Sequence, residues 1–174
     1  MDKNTLILLQ CLLGTAVLTI PAIIKRIWRV SLPRGITVMY FSFIFGAVFL
    51  GSALGFYEKF PHWDTLLHAF SGIMFAAVGY WIAGLFAEKR GVEVIPGLAV
   101  LFAFCFAVAL GTVWEIYEFT FDGILNLNMQ RFAAIDGTPF IGHTALVDTM
   151  TDLIADVAGA LAYSAVMLLR KPPT

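Results

Sequence analysis

The sequence predicts an all-α, polytopic membrane helix bundle. Three observations carry that prediction: 60% of the 174 residues are apolar and only 13% are charged, the mean hydropathy is +0.86, and the apolar residues fall in long unbroken runs. Soluble domains carry about 45–50% apolar and about 25% charged residues, so a water-soluble globule is excluded. So apolar a chain cannot stay solvated as a disordered one. Strands of a transmembrane barrel would alternate in segments of about 10 residues, and no such alternation is present. With a net charge of −1, nothing points to a nucleic-acid partner.

A hydrocarbon core of about 30 Å takes about 20 apolar residues per helix. Five runs qualify, at 5–24, 37–57, 64–86, 96–117 and 147–169. The first ends at Pro21 and the basic cluster Lys25, Arg26, Arg29 and Arg34, with no small-residue cleavage site, so it reads as an uncleaved span. Of the 11 basic residues, eight (those four with Lys89, Arg90, Arg170 and Lys171) fall on one side and three (Lys3, Lys59 and Arg131) on the other. The positive-inside rule then sets the N-terminus out and the C-terminus in, with the protein multi-pass in the cell inner membrane. Trp63 and Trp114 fall at the outer interface and Trp28 and Trp81 at the inner one, as aromatic belts prefer. Gly51 and Gly55 in the second run form a small-xxx-small pattern suited to close helix packing. Cys11 and Cys105 sit in apolar parts of different runs and read as small core residues. Residues 1–174 form one membrane domain with a single long connection, an outer loop at 119–146 with an interfacial helix expected near Ile124–Ala134.

Seven ionisable residues lie in or at the ends of these runs, all mapping to the outer half: Asp64 and His68, Glu115 and Glu118, and Asp148, Asp152 and Asp156. Spacings of i, i+4 or i, i+3 keep each set on one helical face. Asp64 and Asp148 suit helix starts through the macrodipole. Asp152 and Asp156 are too deep to act as caps, since Asp156 lies about 12 Å beyond Asp148. An Asp at mid-membrane costs about 2.5–3.5 kcal/mol on insertion scales. Six carboxylates drawn together require protons or a cation among them. Many oxygens and one imidazole favour a divalent ion, Mg, Mn, Ca or Zn, over a thiolate site.

The segments Asp64-Thr-Leu-Leu-His68, Glu115-Ile-Tyr-Glu118 and Asp148-Thr-Met-Thr-Asp152, the last followed by Gly159-Ala160, occur in an order that resembles the YjdF-like inner-membrane proteins. More distantly the pattern is similar to the VanZ-like proteins, which are associated with glycopeptide resistance. The resemblance covers residues 60–162. It implies a multi-pass inner-membrane protein and brings no activity with it.

The residues themselves suggest a divalent metal held by Asp64, His68, Glu115, Glu118, Asp148 and Asp152, with Glu118 or Asp156 left as a general base. The matching chemistry is that of a metal-dependent membrane hydrolase, acting by hydrolysis or transfer on a lipid-linked phosphate or ester. Two other readings use the same acids: a proton- or cation-coupled transporter or channel, which a chain this small would form by homo-oligomerising, and a structural metal site in a protein whose partner acts. Against transport, the inner halves of the runs carry no acid to continue a pathway.

Overall fold

The computed structural model describes residues 3–134 and 136–170. It is helical almost throughout, and among the described residues the only β pairing is an isolated bridge between Ala133 and Pro139. Four stretches are long and apolar enough to cross a membrane: Arg34–Ala53, Trp63–Arg90, Pro96–Leu125 and Gly142–Leu169. Contacts divide the chain into two compact units, Met1–Leu67 and His68–Thr174.

In the first unit the expected run 5–24 is divided into α1 (Lys3–Leu18) and α2 (Ile20–Trp28). Pro21 is the cause. It has no N–H to give the carbonyl four residues back, that of Val17. The hydroxyl of Tyr40 donates to that carbonyl instead. A left-handed Arg29 ends α2, and α3 (Arg34–Ile44) starts behind Pro33. The helix then widens into a π-helical stretch, Phe45–Ala53, where the Leu54 N–H reaches the Phe49 carbonyl five residues back. Gly51 and Gly55 do not make the expected helix-to-helix seam. Gly51 gives room to the ring of Tyr57, while Gly55, at φ 72°, turns the chain into the short α4 (Phe56–Lys59). α5 (Trp63–Arg90) begins here, and its Trp63 indole donates to the Gly46 carbonyl at 3.3 Å.

The second unit takes up α5 from His68, with α6 (Pro96–Leu125) and α7 (Val147–Leu169). Gly91, left-handed at φ 64°, terminates α5 after Lys89 and Arg90, cations that suit the negative end of the helix dipole. Pro96 opens α6, at a position where its missing N–H costs nothing. A 3₁₀ turn, Gly142–Leu146, leads into α7.

Burial in this unit is inverted relative to a soluble protein. Outward faces carry Val113, Ile116, Phe119 and Ile154, all well exposed, as a helix in lipid requires. Inside, most of the buried residues are small or ionisable, with Met74 and Val100 the larger apolar ones. Ala76, Ala107 and Ala160 form the apolar core. The buried stripe of α6 runs Ala99, Ala103, Ala107, Gly111, Glu115, Glu118 and Asp122, one face changing from alanine to acid along its length. The largest fully buried side chains are Asp152 and Asp156. Two glycines let α5 and α7 meet backbone to backbone. A Cβ at Gly72 would strike the Asp156 carbonyl, and one at Gly159 would strike that of Ala69.

Three further expectations change. Residues 119–125 continue α6, so the long connection begins at Asn126, and no interfacial helix forms between 126 and 134. The acid spacing explains the extension, because Glu115, Glu118 and Asp122 (i, i+3, i+7) keep one buried face going beyond the apolar run. Cys105 is exposed on a lipid-facing side of α6 and is not a core residue. The Cys11 side chain and Lys171 lie outside what the structure describes.

Candidate metal centre

The acids of the second unit gather where α5 at His68, the end of α6 and the start of α7 come together. α6 would run about 45 Å at 1.5 Å per residue, longer than a hydrocarbon core. Glu115 lies about 29 Å along it from Pro96, so this cluster falls near one edge of the core. His68, Glu115 and Asp152 are all buried, at 6%, 4% and 2% exposure. Each offers one ligand atom within 4.8 Å of those of the other two.

The imidazole is fixed from one side. His68 Nδ1 lies 3.0 Å from Asp156 Oδ2. The other oxygen, Oδ1, accepts the Ser71 hydroxyl at 2.7 Å. A carboxylate partner makes Nδ1 the donor, and a neutral ring then carries its lone pair on Nε2. That atom faces Glu115 Oε1 at 3.9 Å. Gly111 makes the geometry attainable, since a Cβ there would collide with the Asp156 carboxylate.

Glu115 divides its oxygens. Oε2 accepts from Gln130 Nε2 at 3.1 Å, whereas the buried Oε1 accepts no hydrogen bond among the described residues. A carboxylate oxygen shut away from both water and donors is costly unless a proton or cation completes it. The separation of 3.9 Å is too long for a hydrogen bond and close to the spacing of two ligands on one ion. A tetrahedral ion bonded at about 2.1 Å holds its ligand atoms about 3.4 Å apart, so the His68–Glu115 pair closes on one with a shift of about half an ångström, and the Asp152 oxygen, within 4.8 Å of both, with a shift of up to about 1.4 Å. Larger ions with bonds of about 2.4 Å fit with less movement.

The remaining expected residues are placed as follows. Glu118, also buried, accepts the Trp114 indole N–H at 2.9 Å. Asp148, in the first turn of α7, lies 3.5 Å from Arg131. Asp64 is half-buried in the first turn of α5, one turn before His68. Asp156 sits behind the imidazole rather than beside Glu115. The other two histidines of the chain stand apart from these acids: His62 is exposed just before α5, and His143 is exposed in the 3₁₀ turn before α7.

Three participants escape a reading of the sequence. Ser71 looks like a small residue for helix packing, and Gln130 lies in an irregular segment where no periodicity points inward. Asp122 did have a signal, its i, i+7 spacing from Glu115, which is visible only once α6 is followed past residue 117.

An uncharacterized protein of Thermotoga maritima (strain MSB8) is similar to this chain, 33% identical over 152 residues that cover 87% of this chain and 71% of the relative. No solved structure matches. The family model described as "Predicted membrane protein (DUF2238)" matches residues 1–172, nearly the whole sequence, and the chain belongs to that family.

Proposed function

We propose that the protein binds a divalent cation among His68, Glu115 and Asp152, and uses it for hydrolysis or transfer at a phosphate or ester group of a lipid-linked substrate in the cell inner membrane. The observation that carries this reading is the buried Glu115 Oε1, which accepts no hydrogen bond and stands 3.9 Å from an imidazole nitrogen oriented by Asp156. Carboxylate–histidine pairs of this kind hold metal-ligating rings in other proteins, setting the tautomer and raising the basicity of the free nitrogen.

Three protein ligands leave a coordination position for water or substrate, the arrangement of catalytic rather than structural ions. The ion would polarise the substrate oxygen and lower the pKa of a bound water. Asp156 has both oxygens committed to His68 and Ser71, which leaves Glu118 as the general base. Glu118 takes a proton from water, the water oxygen bonds to phosphorus or to the carbonyl carbon, and the leaving oxygen departs with the proton returned to it. The exposed apolar faces of α6 and α7 suit a substrate that arrives through the lipid.

The test is metal retention. Protein purified in detergent, loaded with Mn²⁺, Zn²⁺ or Ca²⁺ and desalted, is expected to keep a stoichiometric amount of one of these ions by mass spectrometry. His68→Gln, Glu115→Gln and Asp152→Asn are expected to lose it, and Glu118→Gln to keep the ion while losing turnover of a phosphorylated lipid. Wild-type protein that retains none of the three ions refutes the reading.

A further inference from the structure

We propose that Gln130 is a positioning residue of this centre and that Asp122 is the latch that places it. The inference rests on the metal reading above and adds to it the part played by the segment that follows α6.

Asp122 is buried at 6% exposure, at the end of the acidic face of α6. Its carbonyl accepts the Asn126 N–H and, at 3.3 Å, that of Leu127. Its carboxylate accepts the Met129 N–H at 2.7 Å and the Gln130 N–H at 3.0 Å. Four amides from five consecutive residues thus converge on one side chain and its own carbonyl. The turn they enclose is bracketed by Asn126 at φ 53° and Arg131 at φ 45°, two non-glycine residues in the left-handed region. Asn126 takes this region readily as a helix C-cap, whereas Arg131 does so at a cost, and the Met129 and Gln130 bonds to Asp122 hold the chain that leads into it. Asn128 stiffens the next step, its side chain exchanging hydrogen bonds with the Ala133 N–H and carbonyl.

This turn brings the Gln130 carboxamide against the centre. Nε2 lies 3.1 Å from Glu115 Oε2 and 2.9 Å from Thr149 Oγ1. A primary amide has two N–H groups, and here one serves α6 and the other α7. The consequence falls on Glu115. With Oε2 held by Gln130, the flexible side chain is fixed in the rotamer that leaves Oε1 facing His68. Gln130 therefore decides which oxygen of Glu115 is open, and Asp122 acts through Gln130.

Full-length protein in detergent, titrated with Mn²⁺ against a chelator, tests this. Gln130→Met keeps the side-chain length and removes both donors. It is expected to weaken Mn²⁺ binding about 10–100-fold, the usual effect of losing a group that orients a ligand. Asp122→Asn, which turns one acceptor oxygen into an amide that opposes a backbone N–H, is expected to do the same. The double variant is expected to bind no more weakly than Gln130→Met alone, because the two act through one contact. Without its donor Glu115 Oε2 is left buried and unbonded, so the metal-free melting temperature of Gln130→Met is expected to fall by a few degrees, and Mn²⁺ affinity is read well below that melt, where the variant is folded and only positioning is at issue. Gln130→Met that binds Mn²⁺ as tightly as wild type overturns the inference while leaving the metal reading standing. Losses that multiply in the double variant overturn the latch. A wild-type protein that binds no Mn²⁺ overturns both. Gln130→Met preserves the backbone bond to Asp122, so it decides the question even if Asp122→Asn does not fold.

Discussion

Replacing Gly159 with alanine tests whether the meeting of α5 and α7 holds the centre together. In an ordinary helix position Gly→Ala stabilises by about 1 kcal/mol. At Gly159 the new methyl would strike the Ala69 carbonyl and lie 3.1 Å from both its carbon and the Ile73 nitrogen. Backbone atoms cannot rotate aside, so the two helices must part by about 1 Å. Overpacking of this kind costs about 1–3 kcal/mol, and a clash with backbone belongs at the upper end, leaving a net loss of about 2 kcal/mol. At about 2–4 °C per kcal/mol for a chain of this size, the melting temperature falls by about 4–8 °C. The same movement stretches the His68–Asp156 hydrogen bond, now 3.0 Å, beyond reach. Gly84 is the control, since it lies on α5 with nothing within 4 Å of its added carbon. Thermal melts in detergent read both variants. If Gly159→Ala melts at or above Gly84→Ala, the reasoning is wrong.

Tyr40→Phe is expected to cost about 1–3 kcal/mol by leaving the Val17 carbonyl without its donor. Adding Pro21→Ala, which restores a backbone N–H four residues after Val17, is expected to recover most of the lost melting temperature, and simple additivity of the two would contradict this account. Outside the spans, the Thr138 N–H bonded at 2.9 Å to Asp136 holds that carboxyl below its ordinary value. The group loses its proton more readily folded than unfolded, so its contribution is complete above the unfolded pKa and disappears as pH falls through the folded one. Amide protection of Thr138 is therefore expected to drop in acid, and Asp136→Asn to remove that pH step. A step that survives the substitution would assign it to another group.

The sequence carried the helical membrane class well, because transfer energetics act on composition and run length, both visible without coordinates. Span 147–169 coincides with α7, and 64–86 lies inside α5. It carried the first run less well: Pro21 was visible, but the Tyr40 bond that stabilises the break joins residues 23 apart in sequence. The convergence of His68, Glu115 and Asp152 was legible as three facing stripes. The different position of Asp156, behind the ring, was not, since it depends on backbone contact at Gly72 and Gly159. Gln130 was invisible for the same reason, its direction being set by a turn folded around Asp122.

Where α5 and α7 touch through Gly72 and Gly159, peptide planes lie against one another with no side chain between them. A seam of that kind has no rotamers to yield and no slack to take up, so thermal motion cannot widen it by degrees. Traffic to the imidazole has to use some other door. The segment after α6 closes its side of the centre differently, with the hydrogen bonds of Asp122 and Gln130 in place of interlocked backbone.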